Sequence, residues 1–178
     1  MNADGHTLIL GGIRSGKSRL AEQLARDSGR PVIYIATATP GDDAAMAERI
    51  TAHRARRPAH WQTIEEPLHL AAALAKAATG RCCILVDCLT LWLTNLLLTG
   101  DPAQLERERE GLLRQLAVTP GPVILVSNET NLGIVPLGEL NRRFCDEAGR
   151  LHQELARHCE RVIWTVAGLP QVLKGQPW

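Results

Sequence analysis

Apolar residues fall in short unbroken runs, separated by stretches where they recur every three or four positions. The runs HTLILGG (6–12), PVIYIA (31–36), RCCILVD (81–87), PVILVSN (122–128) and RVIWTVAG (161–168) predict strands buried on both faces, and WQTIEE (61–66) predicts one short strand more. Between them, SRLAEQLARDSG places Leu20 and Leu24 at helical spacing, with Gly29 at the C-terminal stop. Residues 41–58 predict a helix that Asp42 or Asp43 caps and Pro58 ends. PLHLAAALAKAATG (67–80) predicts a helix with Pro67 at its first position. LTLWLTNLLLTG reads as an apolar helix, 101–118 as an amphipathic one, and 137–159 as a long one with Leu140, Phe144, Ala148, Leu151 and Leu155 on one face. The residues after 168 read as a tail.

Strands and helices therefore alternate, and the strands are continuous rather than alternating in polarity. This predicts an α/β fold with a mainly parallel sheet and helices on both faces. Residues 1–178 are expected to form one domain. Aromatic residues are only 3% of the chain, so aliphatic side chains must fill the core.

A net charge of +1 argues against a general nucleic-acid or membrane-surface binder. The longest apolar stretch, Cys88 to Leu98, is too short for a bilayer, which needs about 20 residues. MNADGH lacks the basic start and apolar run of a secretory signal, so a cytoplasmic protein is expected. The five cysteines include no C-x-x-C pair, which predicts free buried thiols rather than a zinc site.

Candidate chemistry begins at the end of the first strand. Gly11, Gly12, Ile13, Arg14, Ser15, Gly16, Lys17 and Ser18 match G-x-x-x-x-G-K-[ST]. Such a loop curls so that backbone N–H groups face phosphate oxygens, and the following helix adds its positive end. Lys17 is expected at the β- and γ-phosphates, and the Ser18 hydroxyl on Mg²⁺. Asp87, closing CILVD, is placed as the second magnesium ligand, or alternatively as the cap of the next helix.

The segment ERITAHRARRPAHW (48–61) is the second candidate. Arg49, His53 and Arg57 share one helical face, and like charges so stacked repel unless an anion sits among them. Neighbouring arginines disfavour imidazolium, and a neutral imidazole is a nucleophile. These parts suit attack on a nucleotide α-phosphate. They also suit a solvated basic helix with a bystander histidine, and His60 competes as nucleophile.

Taken together, GGIRSGKSRLAE, YIAT, RITAHRARRPAHW, LVDCLTLWLTNLL and SNETNLGIVP resemble, in this order over residues 8–168, the bifunctional adenosylcobinamide kinase / adenosylcobinamide-phosphate guanylyltransferase family of cobalamin biosynthesis. The resemblance implies a RecA-like P-loop NTPase fold and a homotrimer. It implies ATP, GTP and Mg²⁺ as cofactors, and a corrinoid substrate, adenosylcobinamide and its phosphate. Two reactions follow from it: phosphorylation of adenosylcobinamide, then transfer of GMP from GTP through a guanylylated histidine, giving adenosylcobinamide-GDP and pyrophosphate.

The guanylylated residue maps onto His53. The nucleotide site maps onto the loop Gly11 to Ser18, onto Thr37, Ala38 and Thr39, onto Arg54, Ala55, Arg56 and Arg57, and onto Glu65 and Asp87. Glu65 offers two acceptors matched to guanine N1–H and the 2-amino group, or is a surface carboxylate. Glu129 takes the substrate hydroxyl proton, holds magnesium through water, or orders its loop with Asn128. Asn131 stands where relatives often carry glycine, which implies a stiffer loop. Leu91, Trp92, Leu96 and Leu97 serve either the core or a subunit interface. A P-loop kinase without guanylyl transfer, and a nucleotide-controlled binding module, remain as alternatives.

Overall fold

The computed structural model describes residues 5–38, 48, 51, 54, 55 and 57–176. The helix expected over 41–58 falls largely outside them, as do its caps Asp42 and Asp43 and the residues Thr39, Arg49, His53 and Arg56. Of that segment, Glu48, Thr51, Arg54 and Ala55 are helical and exposed, whereas Arg57 and Pro58 are non-helical and half-buried.

Seven strands form one sheet: β1 (Thr7–Gly11), β2 (Val32–Ala36), β3 (Gln62–Glu65), β4 (Cys83–Asp87), β5 (Val123–Asn128), β6 (Arg161–Val166) and β7 (Leu169–Lys174). Their order is β3-β2-β4-β5-β1-β6-β7. Every neighbouring pair is parallel except β6 with β7. Five helices are described: α1 (Lys17–Asp27), α2 (Leu70–Ala77), α3 (Leu89–Leu98), α4 (Pro102–Val118) and α5 (Glu139–His158).

Successive strand residues point to opposite faces, and the core divides accordingly. Leu8, Ile35, Ile84, Val86, Val123, Leu125 and Val162 pack on one face against α2 to α5, around Leu70, Leu74, Trp92, Leu96, Leu112 and Leu155. Ile9, Val32, Tyr34, Leu85, Ile124, Val126 and Ile163 pack on the other against Ala21 and Ala25 of α1. Both faces are covered, which is why these strands read as unbroken apolar runs. Leu112 is fully enclosed, and truncating such a leucine to alanine costs about 2–5 kcal/mol.

Local chemistry sets the element ends. Asp101 accepts the Ala103 N–H at 2.9 Å and Pro102 takes the first turn of α4. Gly29, with φ +66°, follows α1 and donates its N–H to the Arg26 carbonyl.

Three expectations are corrected. Helix α2 begins at Leu70 rather than at Pro67. The Pro67 and Leu68 carbonyls accept side-chain donors of α3 instead, Asn95 Nδ2 at 3.2 Å and Trp92 Nε1 at 2.8 Å. Glu66 Oε1 gathers the Leu68 and His69 N–H groups into a turn. The supposed tail is strand β7, turned back at Ala167 and Gly168, whose φ values of 51° and 81° suit a two-residue hairpin turn. Leu140, placed on the buried face of α5, is half exposed because the first turns of that helix overhang the core.

Trp92, Leu96 and Leu97 are buried, so this part of α3 serves the core. All five cysteines are free; four are buried and Cys145 is half-buried. Burial pushes the Cys83 thiol up to about 11 and the Cys159 thiol up to about 12, so both stay protonated. Among the described residues no helix is long and apolar enough to cross a membrane.

Candidate nucleotide site

The site is built where the parallel strands end. Gly11 closes β1, and Lys17 opens α1 five residues beyond Gly12. Two glycines are required by space as well as by torsion. Gly11 has φ +151°, and a Cβ there would stand 2.3 Å from the Thr165 carbonyl of β6. Gly16 has φ +101°, and a Cβ would stand 3.2 Å from the Gly168 Cα. Gly12 has open space around it.

The loop is held from both sides. The Glu129 N–H, just past β5, donates to the Gly11 carbonyl at 2.9 Å. The Gly168 N–H, at the β6–β7 turn, donates to the Ser15 carbonyl at 2.9 Å. Lys17 is 6% exposed, and its ammonium donates to the Gly12 carbonyl at 2.6 Å and to Ser15 Oγ at 3.4 Å. Burial holds this ammonium below its ordinary value, and Asp87 and then Cys88 oppose that shift. A buried ammonium held by a carbonyl and a hydroxyl, at the start of α1, is suited to a phosphate.

Asp87 ends β4, and β5 lies between it and β1. Its Oδ2 accepts the Tyr34 hydroxyl at 3.0 Å. The N-cap of α3 is Cys88, whose side chain makes no capping bond. Ser18 and Asp87 face the same cleft. One hydroxyl and one carboxylate are hard oxygen donors of the kind that hold magnesium jointly with substrate phosphates and water. No cluster of three or more His, Cys, Asp or Glu occurs among the described residues, so an all-protein cage is absent there.

The cleft measures about 650 Å³. Lys17, Arg14, Arg19, Arg54 and Arg57 line it against two carboxylates, Glu65 and Asp87. That excess of cations over anions suits a polyphosphate. Arg54 pairs with Glu65 on the exposed rim. The Arg57 guanidinium lies over the Tyr34 ring, 3.6 Å from its centroid.

Not every expected residue meets the cleft. Ile13, Arg14, Ser15, Gly16, Lys17, Ser18, Ala38, Arg54, Arg57, Glu65 and Asp87 do. The Thr37 side chain is fully buried. Its hydroxyl donates to the Cys88 carbonyl at 2.6 Å and accepts the Cys88 N–H at 3.0 Å, stitching β2 to β4. Ala55 is exposed away from the lining, as is His60. Glu129 is turned into its own loop: Oε1 accepts the Asn131 N–H at 2.7 Å, and Oε2 lies 3.8 Å from His152 Nδ1. Asn131 Nδ2 donates to the Cys145 carbonyl at 3.0 Å, tying this loop to α5. Thr39, His53 and Arg56 lie outside the described residues.

Tyr34, Ala167 and Gly168 also line the cleft, and the sequence reading assigned none of them to the site. Tyr34 is the chain's one tyrosine, set in an otherwise aliphatic strand, and that oddity was the available signal.

Comparison with known proteins agrees with this geometry. By fold, the chain is similar to the flagellar accessory protein FlaH from Methanocaldococcus jannaschii (TM-score 0.54, 15% identity, 97% of this chain and 79% of that one). It is similar also to an ATPase of the type III secretion system of pathogenic bacteria (TM-score 0.57, 13% identity, 90% of this chain and 50% of that one). These likenesses establish a RecA-like P-loop NTPase fold. By sequence, the chain is 66% identical over 170 residues to the bifunctional adenosylcobalamin biosynthesis protein CobP of Pseudomonas aeruginosa, spanning 96% of this chain and 98% of that protein. It is 39% identical over 180 residues to the bifunctional adenosylcobalamin biosynthesis protein CobU of Escherichia coli, spanning 94% and 98%. A family profile described as cobinamide kinase / cobinamide phosphate guanyltransferase matches residues 7–173, and the chain belongs to that family.

Proposed function

We propose that one domain, and this one cleft, carries out both family reactions with ATP or GTP and magnesium, and that the second passes through a guanylylated His53. The supporting observation is that one cleft gathers the Lys17 loop together with Arg54 and Arg57. His53 is the chain neighbour of Arg54, and adjacent Cα atoms are about 3.8 Å apart.

In the first reaction the hydroxyl oxygen of the corrinoid's aminopropanol arm attacks the γ-phosphorus. The bond to the β-phosphate oxygen breaks, the nucleoside diphosphate leaves, and the hydroxyl proton passes to solvent. Lys17 and the loop amides stabilise the charge on the transferred group. Bound between Ser18 and Asp87, magnesium would neutralise phosphate charge.

In the second reaction an imidazole nitrogen of His53 attacks the α-phosphorus of GTP and pyrophosphate leaves. Arg54 and Arg57 face the charge that develops. An oxygen of the corrinoid phosphate then attacks the same phosphorus, the P–N bond breaks, and the histidine returns to its neutral form. Glu65, on the Arg54 side of the cleft, is the candidate reader of guanine.

The protein is expected to act in the cytoplasm as a homotrimer on adenosylcobinamide and its phosphate. Incubation with adenosylcobinamide, ATP, GTP and magnesium tests the reading. The expected products by mass spectrometry are adenosylcobinamide phosphate, then adenosylcobinamide-GDP with pyrophosphate. Accumulation of the phosphate alone favours a kinase without guanylyl transfer.

A further inference from the structure

We propose that Tyr34 is a positioning residue for guanylyl transfer, carrying Arg57 on its ring and fixed in turn by its hydroxyl on Asp87. The proposal deepens the reading above and rests on it.

The side chain is set deep in the molecule and yet faces the site. Tyr34 is 1% exposed and lines the cleft. Strands β2 and β4 are adjacent, with Tyr34 opposite Leu85 and Ala36 opposite Asp87. The phenol therefore reaches diagonally, two residues along the neighbouring strand, to the carboxylate at the strand end. Its hydroxyl donates to Asp87 Oδ2 at 3.0 Å.

The ring face is the other half of the device. The Arg57 guanidinium lies 3.6 Å from the ring centroid. The Arg57 Nε is sealed from solvent and has no hydrogen-bond acceptor among the described residues. The flat π-face holds this cation by direct contact. Arg57 is four residues from His53 along the chain, a separation that spans about 14 Å at most. Whatever fixes Arg57 limits where the nucleophile can go. Strand β2 and the Asp87 carboxylate belong to the rigid sheet, so Tyr34 transmits a fixed reference point to the basic segment.

Such a role separates the two reactions. Phosphorylation needs the Lys17 loop, whereas guanylylation needs the basic segment as well. The test compares wild type, Tyr34→Leu, Arg57→Ala and the double variant, each incubated with α-labelled GTP and magnesium. Protein-bound label is followed in time, and the same preparations are assayed for phosphorylation of adenosylcobinamide by ATP. Misplacement of a nucleophile by an ångström costs about 100-fold, so Tyr34→Leu is expected to slow labelling by about 30-fold or more. Its phosphorylation is expected to fall at least about tenfold less than its labelling. Because both residues act through one contact, the double variant is expected to label within about threefold of the slower single variant.

Equal losses in both reactions, or losses that multiply in the double variant, overturn the proposal. Should Tyr34→Leu not fold, Tyr34→Phe keeps the ring and removes only the anchor. It is expected to slow labelling about tenfold or more, the worth of one hydrogen bond to a charged group, and labelling at the wild-type rate overturns the proposal. If wild-type protein itself takes up no label, the guanylyl-histidine reading falls first and the role of Tyr34 with it.

Discussion

The Gly168 N–H donates to the Ser15 carbonyl at 2.9 Å, so the turn between the last two strands braces the phosphate loop. On the same flank the Thr165 carbonyl of β6 stands where a Gly11 side chain would lie. The two adjacent glycines that open the loop should therefore behave differently. Gly11→Ala adds a methyl 2.3 Å from backbone and is expected to destabilise the protein by about 2–4 kcal/mol. Gly12→Ala meets nothing within 4 Å and is expected to stay within about 0.5 kcal/mol of wild type. Urea unfolding of the two variants checks this, and equal midpoints would contradict it.

Lys17 combines a functional gain with a structural cost. Its buried ammonium is held below its ordinary value by desolvation. Lys17→Met is expected to leave the melting temperature unchanged or raised, because an apolar side chain suffers no such penalty. Both reactions are expected to fall by about 100-fold or more, as on loss of one fixed charge facing a transferred group. Calorimetry and product assays on one preparation check the opposite signs.

If Glu65 reads guanine, its removal leaves two guanine donors unpaired. Glu65→Ala is then expected to lower the preference of protein labelling for GTP over ATP by about tenfold or more. Competition of unlabelled ATP against α-labelled GTP measures the ratio. An unchanged ratio would assign Glu65 solely to its ion pair with Arg54.

His152 is 6% exposed, with Nε2 2.8 Å from Ser127 Oγ. Burial holds the imidazole below its ordinary value, and Glu129, 3.8 Å away, offsets this in part. The folded chain therefore binds this proton more weakly than the unfolded chain. Its contribution to stability is complete above the unfolded value of about 6.5 and is lost as the pH falls towards and through the lower folded value. His152→Gln is expected to flatten the fall of melting temperature between about pH 7 and pH 5. Parallel curves for the two proteins would contradict this.

Much of the fold was legible because of how its strands are covered. Strands β1, β4 and β5 are shielded on both faces, so Leu8-Ile9 and Cys83 to Val86 announce themselves as apolar runs. Strand β7 is an exposed edge containing Pro170, with no apolar pattern to read, and its Ala167–Gly168 turn lacks the usual Asn-Gly signal. Pro67 looked like a helix start until Trp92 and Asn95, far along the chain, claimed its neighbourhood's carbonyls.

The site was legible where function fixes backbone, as in the loop from Gly11 to Ser18. It was less so where side-chain direction decides. Thr37 and Ala38 are adjacent at a strand end, yet one hydroxyl is spent inside the core and the other residue faces the cleft. Tyr34 escaped notice because its use depends on Asp87, a residue 53 positions away.

The proposed guanylyl transfer turns on a covalent link between His53 and GMP. Peptide mapping by mass spectrometry, after incubation with GTP and magnesium and quenching in alkali, tests it most directly. The expected result is one GMP residue on the peptide that contains His53, discharged by adenosylcobinamide phosphate and absent from His53→Ala. A GMP residue on the His60 side of Arg57, or product formed at the wild-type rate by His53→Ala, would contradict it.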